Sequence, residues 1–394
     1  MALIQKFCIK NHEWLIVGIA LFWLPCTTQA SEIVHFAGFA YSGPYADISA
    51  AFPYTYSLNH PGADGVDPLD HALLVQVQNH KFNGFNLDFV NLGNVQTNDA
   101  LALEFALNRE SVSVEQIGGI YKILIILDAD ALFFDMKQMQ IVAAYPFGIN
   151  YIDVSPTLPS KAYIQDLVNK LYLGNLKVNI IDQFSQTLES INLKQHYGNT
   201  IQVADVNISD KASAVLPDLL KNNIEATKDL IARQFSSYLS KNGNIPVLPY
   251  TKDYAIGNKI ATRFANGEVF NLKVPTPDYT ISLDIRGFKK IIYDQEVGGA
   301  SWVYGAFMHL KIMEPLSNHT YLDLNIKNGA VKIVPSSQTY VDDWPAYQDT
   351  LLDMMNQLTK QLMNPDESWV KSHTGDADNL TAFQNAEKVI KSCQ

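Results

Sequence analysis

The sequence contains very little cysteine, and this scarcity limits how the protein can be held together. Only three cysteines occur in 394 residues, and Cys8 and Cys26 lie in an N-terminal segment with the features of an export signal. Removal of that segment leaves Cys393 alone, so no internal disulfide can form. We therefore expect an exported chain that is stabilised by core packing, with Cys393 as an incidental thiol.

Long apolar runs are also missing, apart from one in the N-terminal segment, residues 1–30. Lys6 and Lys10 give this segment a positive start, and an apolar run of 11 residues covers 14–24. Such a pattern, with small residues at its end, is typical of a cleaved bacterial signal peptide. A membrane span needs roughly 17 to 25 apolar residues, so we predict no stable span after cleavage. Lipidation at Cys26 and retention as an anchor remain alternatives.

Basic residues are scarce relative to acidic ones. The chain has 29 Lys and Arg against 40 Asp and Glu, for a net charge of −11, and the signal carries two Lys and one Glu, so its removal gives −12. This charge opposes contact with phosphate backbones, so we expect no nucleic-acid partner. A hydrophobic content of 47% is sufficient for a large core, which excludes global disorder.

The motifs of common catalytic and cofactor sites do not occur. The sequence lacks His-Glu-x-x-His, paired Cys-x-x-Cys, a P-loop and Gly-x-Gly-x-x-Gly. Ser301 lies two residues after a glycine, but Val303 stands where a nucleophile elbow needs the second glycine. We expect no cofactor, and the sequence assigns no catalytic residue.

Asp64, Asp67 and Asp70 form the densest set of candidate metal ligands. Oxygen-rich loops hold Ca²⁺, but this spacing does not match an EF-hand, and Asp67 or Asp70 suits the N-cap of the helix that follows. We therefore favour capping over metal binding. Asp128 and Asp130 alternate with apolar residues in a predicted strand, so we expect them to face solvent, with cation binding as the alternative.

Aromatic residues are plentiful, with 19 Tyr and 19 Phe. The candidate binding residues are Phe52, Tyr54, Tyr56, Trp302 and Tyr304. Such residues suit a groove for a peptide, a glycan or an apolar ligand, and they equally suit the core of a mixed sheet, which is the interpretation we favour.

Three charged residues just before Ser111 have an ordinary explanation. Glu104, Arg109 and Glu110 are expected where a helix ends at Ser111, and they suit a surface salt bridge.

Two similar stretches begin at Tyr121 and Tyr279. Each predicts a β-hairpin of β-branched and aromatic residues, with turns at 136–139 and 295–299, and a one-residue difference near Gly287 predicts a β-bulge. Aligning them pairs Tyr121 with Tyr279.

Helix and strand patterns complete each half. We predict opening strands at 33–41 and 245–250, helices at 70–81, 256–266 and 222–241, helices that begin at Ala162 and near Trp344, and a further strand pair at 320–327 and 330–335 that turns at Asn328-Gly329. Asp343 suits the N-cap of the helix at Trp344.

These patterns predict an α/β (α+β) fold of two similar mixed-sheet domains, each with a strand-helix-hairpin-helix plan, joined by a helical connector. The expected boundaries are a signal peptide at 1–30, a first domain at 31–175, a connector at 176–243, a second domain at 244–364 and a polar tail at 365–394.

The opening strand at 245–250 and the hairpins at Tyr121 and Tyr279 resemble the small α/β domain at the start of TolB and in CsgG-like and FlgT-like envelope proteins. The chain also resembles exported proteins of Legionella-like bacteria, from which no functional residues carry over. The resemblance implies a periplasmic or secreted protein, with outer-membrane association left open.

We expect an exported, non-enzymatic binding or envelope-assembly accessory protein, whose partner is an envelope protein or a glycan. The alternatives are an exported hydrolase with a site assembled between the two domains and a secreted effector.

Overall fold

Two mixed β-sheets organise the chain, with helices packed against each of them. In the computed structural model, residues 32–394 are described except 44–46, 61–66, 79, 90–99, 118, 175, 194–197, 252–258, 265–266 and 338–340. The predicted signal peptide, residues 1–30, lies outside the described residues. Residues Glu32–Gln394 form one compact unit.

The strands fall into a seven-stranded and a four-stranded sheet. In chain order they are β1 (Glu32–Ser42), β2 (Phe85–Asp88), β3 (Leu101–Ile117), β4 (Ile120–Asp135), β5 (Gln140–Ser155), β6 (Ile201–Ile208), β7 (Lys259–Phe264), β8 (Val269–Lys273), β9 (Tyr279–Glu296), β10 (Gly299–Glu314) and β11 (His319–Pro335). The first sheet has the order β2-β1-β3-β4-β5-β8-β7, and β7 also pairs with β1, so the six strands other than β2 close into a ring. The second sheet has the order β11-β10-β9-β6.

Helices connect and flank the strands. They are α1 (Ile48–Ala51), α2 (Pro53–Leu58), α3 (Pro68–Val77), α4 (Lys161–Leu173), α5 (Ile180–Ser190), α6 (Asp210–Ser213), α7 (Asp218–Lys221), α8 (Ile224–Gly243), α9 (Trp344–Met363), α10 (Glu367–Thr374) and α11 (Leu380–Lys391). The expected mixed α/β fold class is therefore confirmed, as are the predicted helices in the regions of α3, α4, α8 and α9.

The same plan of elements occurs twice. β1 lies parallel to β3, and β3, β4 and β5 form an antiparallel meander. β6 lies parallel to β9, and β9, β10 and β11 form the second meander. Each parallel pair is joined through a connection that contains a helix, α3 in the first half and α8 in the second, and helices follow each meander.

Irregularities in strand pairing occur at equivalent places in the two halves. Each parallel pair, β1 with β3 and β6 with β9, contains one bulge. The last residue paired before that bulge is Leu103 in β3 and Ile281 in β9. Five residues later, pairing with the next strand skips Asn108 in β3 and Arg286 in β9. These shared bulges align β3 with β9, β4 with β10 and β5 with β11.

The predicted alignment of Tyr121 with Tyr279 is therefore wrong. Tyr121 lies in β4, which has two antiparallel neighbours, whereas Tyr279 begins β9, which has one parallel neighbour. The predicted bulge near Gly287 is confirmed, because pairing skips Arg286 and Gly287 has a φ of +155°. Glycine adopts this backbone conformation far more readily than other residues.

Both predicted hairpins are confirmed, β4–β5 and β9–β10, and the predicted opening strand at 33–41 is confirmed as β1. The second predicted opening strand, 245–250, is wrong because this segment forms only an isolated bridge between Leu248 and Gln202. The N–H of Val247 donates to the Ala144 carbonyl of β5, and the N–H of Leu248 donates to the Ile201 carbonyl of β6. The segment lies between the sheets and bonds to both.

Three further predictions of secondary structure are wrong. The predicted turn at Asn328-Gly329 is continuous strand, because β10 pairs with β11 along its whole length and the Asn328 side chain donates to Asp353 of α9 at 3.0 Å. The described residues of the predicted helix at 256–266 form β7, which pairs with β1 and β8. The helix expected before Ser111 is strand β3, whose pairing with β1 and β4 overrides the helix propensity of its Ala, Leu and Glu residues.

Two main cores lie against the sheets, and several segments contribute to them. Residues 176–243, expected as a connector, supply α5 to the first core, and β6 and α8 to the second. Residues 365–394, expected as a polar tail, form α10, a 3-10 turn and α11, which bury Phe383, Ile390 and the Cys393 thiol in the second core. The Cys393 thiol is thus a core side chain, and burial raises its pKa to about 12.

The two sheets differ in how much of their surface is buried. Residues 125–134 of β4 are all buried, which agrees with a nearly continuous apolar run that packs on both faces. The burial of β9 alternates, because one face packs against α9 and the other points outward.

Candidate binding surface

The outward side of the second sheet carries an exposed surface that we call the uncovered face. It comprises the side chains of Lys289, Ile291, Val303, Phe307, Lys327, Val331 and Ile333. Along each strand these side chains alternate with side chains on the opposite face of the sheet, which point to the second core and to α9. Among the described residues, Val331 and Ile333 keep 56% and 75% of their surface exposed, and Phe307 keeps 36%. An aromatic ring and four aliphatic side chains thus form one apolar surface in water.

Two adjoining cavities lie on the uncovered face. The smaller, of about 310 Å³, has Gly305 and Gly329 opposite each other at its base, where the absence of side chains leaves a depression. The larger, of about 520 Å³, is also lined by Lys211 of α6 and Arg286. Both cavities share Lys289, Phe307, Lys327 and His373. Volumes of this order are typical of ligand sites.

The lining of these cavities is positively charged. Within the part of the chain that the structure describes, no carboxylate lies within ion-pair distance of the ammonium groups of Lys211, Lys289 or Lys327. Arg286 is paired, with its Nε 2.7 Å from Asp284 Oδ2. A chain with a net charge of −11 therefore concentrates free positive charge around one exposed aromatic ring.

A second polar cluster lies buried between the two sheets. Asp130 accepts a hydrogen bond from Asn108 Nδ2 at 2.7 Å, and its carboxylate lies 3.8 Å from Arg233 Nη1. Arg233 Nε lies 2.9 Å from Asp229 Oδ2 one turn earlier in α8. The cluster links β3 and β4 of the first sheet to α8 of the second half.

Burial dominates the pKa values of this cluster. Desolvation raises the pKa of Asp128, which Arg109 and Arg233 partly offset, and it raises the pKa of Asp130 in the same way. The pKa of Glu104, fully buried nearby in β3, rises to about 8 through desolvation, despite the opposing effect of the Thr262 hydroxyl. Glu104 is therefore protonated at neutral pH.

The expectation that Asp128 and Asp130 face solvent is wrong. They retain only 9% and 5% of their surface exposed, because α8 covers this side of β4. The surface salt bridge expected for Glu104, Arg109 and Glu110 is wrong as well. Glu104 is in the core, Arg109 points to Asp128, and Glu110 accepts hydrogen bonds from the N–H groups of Tyr54 and Thr55 at the start of α2.

The first group of candidate aromatic residues lies at α1 and α2. Phe52 is fully buried and packs against Tyr41 with ring centroids 5.1 Å apart. Tyr54 is partly buried against the first core, and Tyr56 is 40% exposed with its ring edge-to-face against His60. Only Tyr56 of the three is exposed.

The second group lies on the side of the second sheet that faces α9. The Tyr304 hydroxyl donates to Asp343 Oδ1 at 2.6 Å, and Lys290 Nζ lies 2.7 Å from the same oxygen. Lys290 also stands 4.4 Å from the centre of the Trp302 ring. Asp343 makes no side-chain capping bond to α9, so its predicted capping role is wrong.

Of the candidate metal ligands, Asp64 lies outside the described residues. Asp67 precedes α3 but makes no capping hydrogen bond. Asp70 is partly buried, and its Oδ1 accepts the Phe39 N–H at 2.6 Å, beside the bulge at Gly38. Burial raises the pKa of Asp70 to about 6. Asp70 therefore completes the backbone bonding of β1, and the described residues contain no group of three His, Cys, Asp or Glu suited to a metal ion.

The lysines of the uncovered face were missed by sequence reasoning. Lys289, Phe307 and Lys327 lie on three different strands, and only the strand register brings them together. The available signal was the alternation of apolar and polar residues along β9 and β11, which indicates sheets with one face in water.

Comparisons with known proteins give a partial likeness in structure. No protein-family model matches this chain, and no curated protein matches its sequence. A minor lipoprotein from Acinetobacter baumannii aligns with 41% of this chain and 89% of its own length, at 9% identity and a TM-score of 0.22. A family DUF330 protein from Xanthomonas campestris aligns over 48% and 88%, at 12% identity and a TM-score of 0.20.

A putative neuraminyllactose-binding hemagglutinin homolog from Helicobacter pylori aligns with 49% of this chain and 92% of its own, at 15% identity and a TM-score of 0.24. Within the described ranges, no helix has both the length and the apolar content for a membrane crossing.

Proposed function

We propose that this chain is an exported, non-catalytic binding protein that recognises an acidic component of the cell envelope on the uncovered face. One observation carries the proposal: in a chain with a net charge of −11, three lysines surround the exposed ring of Phe307, and none of them has a carboxylate partner among the described residues. Contiguous apolar area in water that is rimmed by charged residues is typical of an interaction site.

The charge distribution supports an anionic partner. Lys211, Lys289 and Lys327 attract carboxylate or other anionic groups, while the rest of the acidic surface repels an anionic partner elsewhere. The predicted signal peptide supports a periplasmic or secreted location for this encounter.

The proposal is tested by fractionating a bacterial host that expresses the full chain with its own signal. We expect the wild-type chain to sediment with the envelope at low salt and to be released at about 0.5 M salt, where exposed charges are screened. The double variant Lys289→Glu/Lys327→Glu should remain in the soluble exported fraction.

The matched control is Lys311→Glu. Lys311 lies on β10 four residues from Phe307, on the same side of the sheet and outside both cavities. It should sediment like the wild-type chain. A double variant that sediments like the wild-type chain would refute the role of the uncovered face, and a chain that stays cytoplasmic would refute export.

A further inference from the structure

One face of the first sheet corresponds to the uncovered face of the second sheet, and other elements of this chain cover it. After the shared bulge, Arg109 of β3 pairs with Asp128 of β4, and Gly287 of β9 pairs with Phe307 of β10. Asp128 and Phe307 thus occupy equivalent positions. On the next strand of each sheet, Gly148 of β5 pairs with Asp128, and Lys327 of β11 pairs with Phe307.

Helix α8 lies over this position on the first sheet. Arg233 of α8 reaches Asp130 and lowers the pKa of Asp128 against the effect of burial, and Asp229 binds Arg233 one turn away. The helix therefore presents charged side chains, four residues apart, towards carboxylates of this sheet.

The smaller cavity on the uncovered face also has a counterpart. Ile126 pairs with Asn150 in the first sheet. Gly305 pairs with Gly329 at the equivalent position of the second sheet. Ile126 and Asn150 line a cavity of only about 50 Å³, closed by leucines of the α6–α8 region and by residues of α9. The equivalent space on the second sheet is about 310 Å³ and open. A covering helical layer accounts for this difference.

The second sheet does not repeat the carboxylates of the first sheet at these positions. Asp128 and Gly148 are replaced at the equivalent positions by Phe307 and Lys327, and Lys289 lies beside them. A helix that covers the second sheet must therefore present carboxylates towards the lysines and apolar side chains towards Phe307 and Ile291.

Other occupants satisfy fewer of these groups. An extended peptide laid along β10 finds no free backbone partners there, because the N–H and C=O groups of β10 are already used by β9 and β11. A polysaccharide leaves Val331 and Ile333, both more than half exposed, in contact with water.

We infer that the envelope partner binds through an amphipathic helix with acidic and leucine-type residues on one side, seated on the second sheet as α8 is seated on the first. This inference rests on the proposed function and names the chemistry of its partner.

The test uses the chain purified after export and a fluorescent helix-forming peptide of about 20 residues, long enough for stable helicity. Its Ala/Gln framework carries Glu and Leu on one side, and a scrambled peptide of the same composition is its control. We expect the amphipathic peptide to bind, and Lys289→Glu/Lys327→Glu to weaken binding about tenfold, whereas Lys311→Glu changes it less than twofold. A peptide with Lys in place of Glu should bind the double variant more tightly than it binds the wild-type chain.

Several outcomes would overturn the helical partner. Equal binding of the scrambled peptide, preferential binding of polyglutamate or polygalacturonate, or self-association that the double variant abolishes would each identify a different occupant. Binding of polyglutamate or polygalacturonate alone would leave the proposed acidic partner intact. If no anionic probe binds and the double variant still sediments with the envelope, both the helix and the proposed function fail.

Discussion

The two sheets share a strand plan and a set of bulges, but they differ at the uncovered face: the corresponding face of the first sheet is covered by other elements of the chain. On the first sheet, α8, the 245–250 segment and the β7–β8 hairpin cover that face and bury Glu104, Asp128 and Asp130. On the second sheet, the equivalent face carries Phe307 and Lys327 in contact with water. The same architecture thus produces an interior in one half and a surface in the other, and this difference in burial distinguishes the proposed binding face.

The largest expected difference in the free energy of unfolding is between a charge placed on the covered face of the first sheet and a charge placed on the uncovered face of the second. Leu132 of β4 is 1% exposed, so Leu132→Asp buries an unpaired carboxylate and should lower the free energy of unfolding by about 4 kcal/mol or more. Val303→Asp on β10 meets water and should cost about 1 kcal/mol or less. Urea unfolding of both variants measures this contrast, and equal losses would mean that the second face is covered too.

A smaller contrast is expected between two arginines. Arg233→Met leaves Asp130 and Asp229 without their buried cation and should cost about 3 kcal/mol. Arg286→Met removes an exposed pair with Asp284 and should cost less than about 1 kcal/mol. Thermal and urea unfolding at neutral pH measure both values. A loss at Arg286 as large as that at Arg233 would contradict the assignment of a surface role to Arg286.

Glycine substitutions provide a third contrast. Gly38 has a φ of +91°, and a Cβ there would lie 2.3 Å from Asp70 Oδ1, so Gly38→Ala should cost about 2 kcal/mol. A Cβ at Gly329 meets only Val303 at 3.4 Å among side chains, so Gly329→Ala should change stability by less than about 0.5 kcal/mol. Because Gly329 forms the base of the smaller cavity, this variant should still weaken binding of the helical peptide. Unchanged stability of Gly38→Ala would show that β1 does not need its bulge.

The smallest effect at neutral pH is expected from Glu104→Gln, which replaces a protonated carboxyl by an amide of the same shape. The pKa of Glu104 rises from an ordinary 4.5 to about 8 in the folded chain. Between these values the folded chain holds a proton that the unfolded chain has lost, so stability falls as pH rises through this window and reaches its minimum above pH 8. The melting temperature of Glu104→Gln should therefore fall less than that of the wild-type chain between pH 6 and 9. Parallel curves would show that Glu104 does not titrate in this window.

Local patterns predicted the elements that neighbouring residues determine by themselves. The apolar spacing along α9 and the short polar turns of both hairpins specify those elements with little help from tertiary contacts. Asn328-Gly329 failed as a turn signal because β10 offers an unbroken partner strand on which both residues can extend. Propensity failed in β3 for the same kind of reason, since a central strand between β1 and β4 overrides it.

The uncovered face was beyond sequence reasoning because its residues are far apart in the chain. Phe307 is separated by 18 residues from Lys289 and by 20 from Lys327, and no local motif joins them. Their proximity depends on a register set by bulges, and their exposure depends on the absence of a covering helix. Neither property leaves a short pattern in the sequence. The aromatic residues predicted as binding candidates, such as Tyr304, are mostly packed inward.

The segment at 245–250 has a mechanical consequence. Val247 bonds to the first sheet and Leu248, the next residue, bonds to the second, and both side chains are buried. Separating the sheets would break one of these bonds and expose buried side chains, which opposes a hinge movement of the two halves. The proposed partner would then dock on a surface that is ordered before binding, which reduces the free energy spent on ordering it.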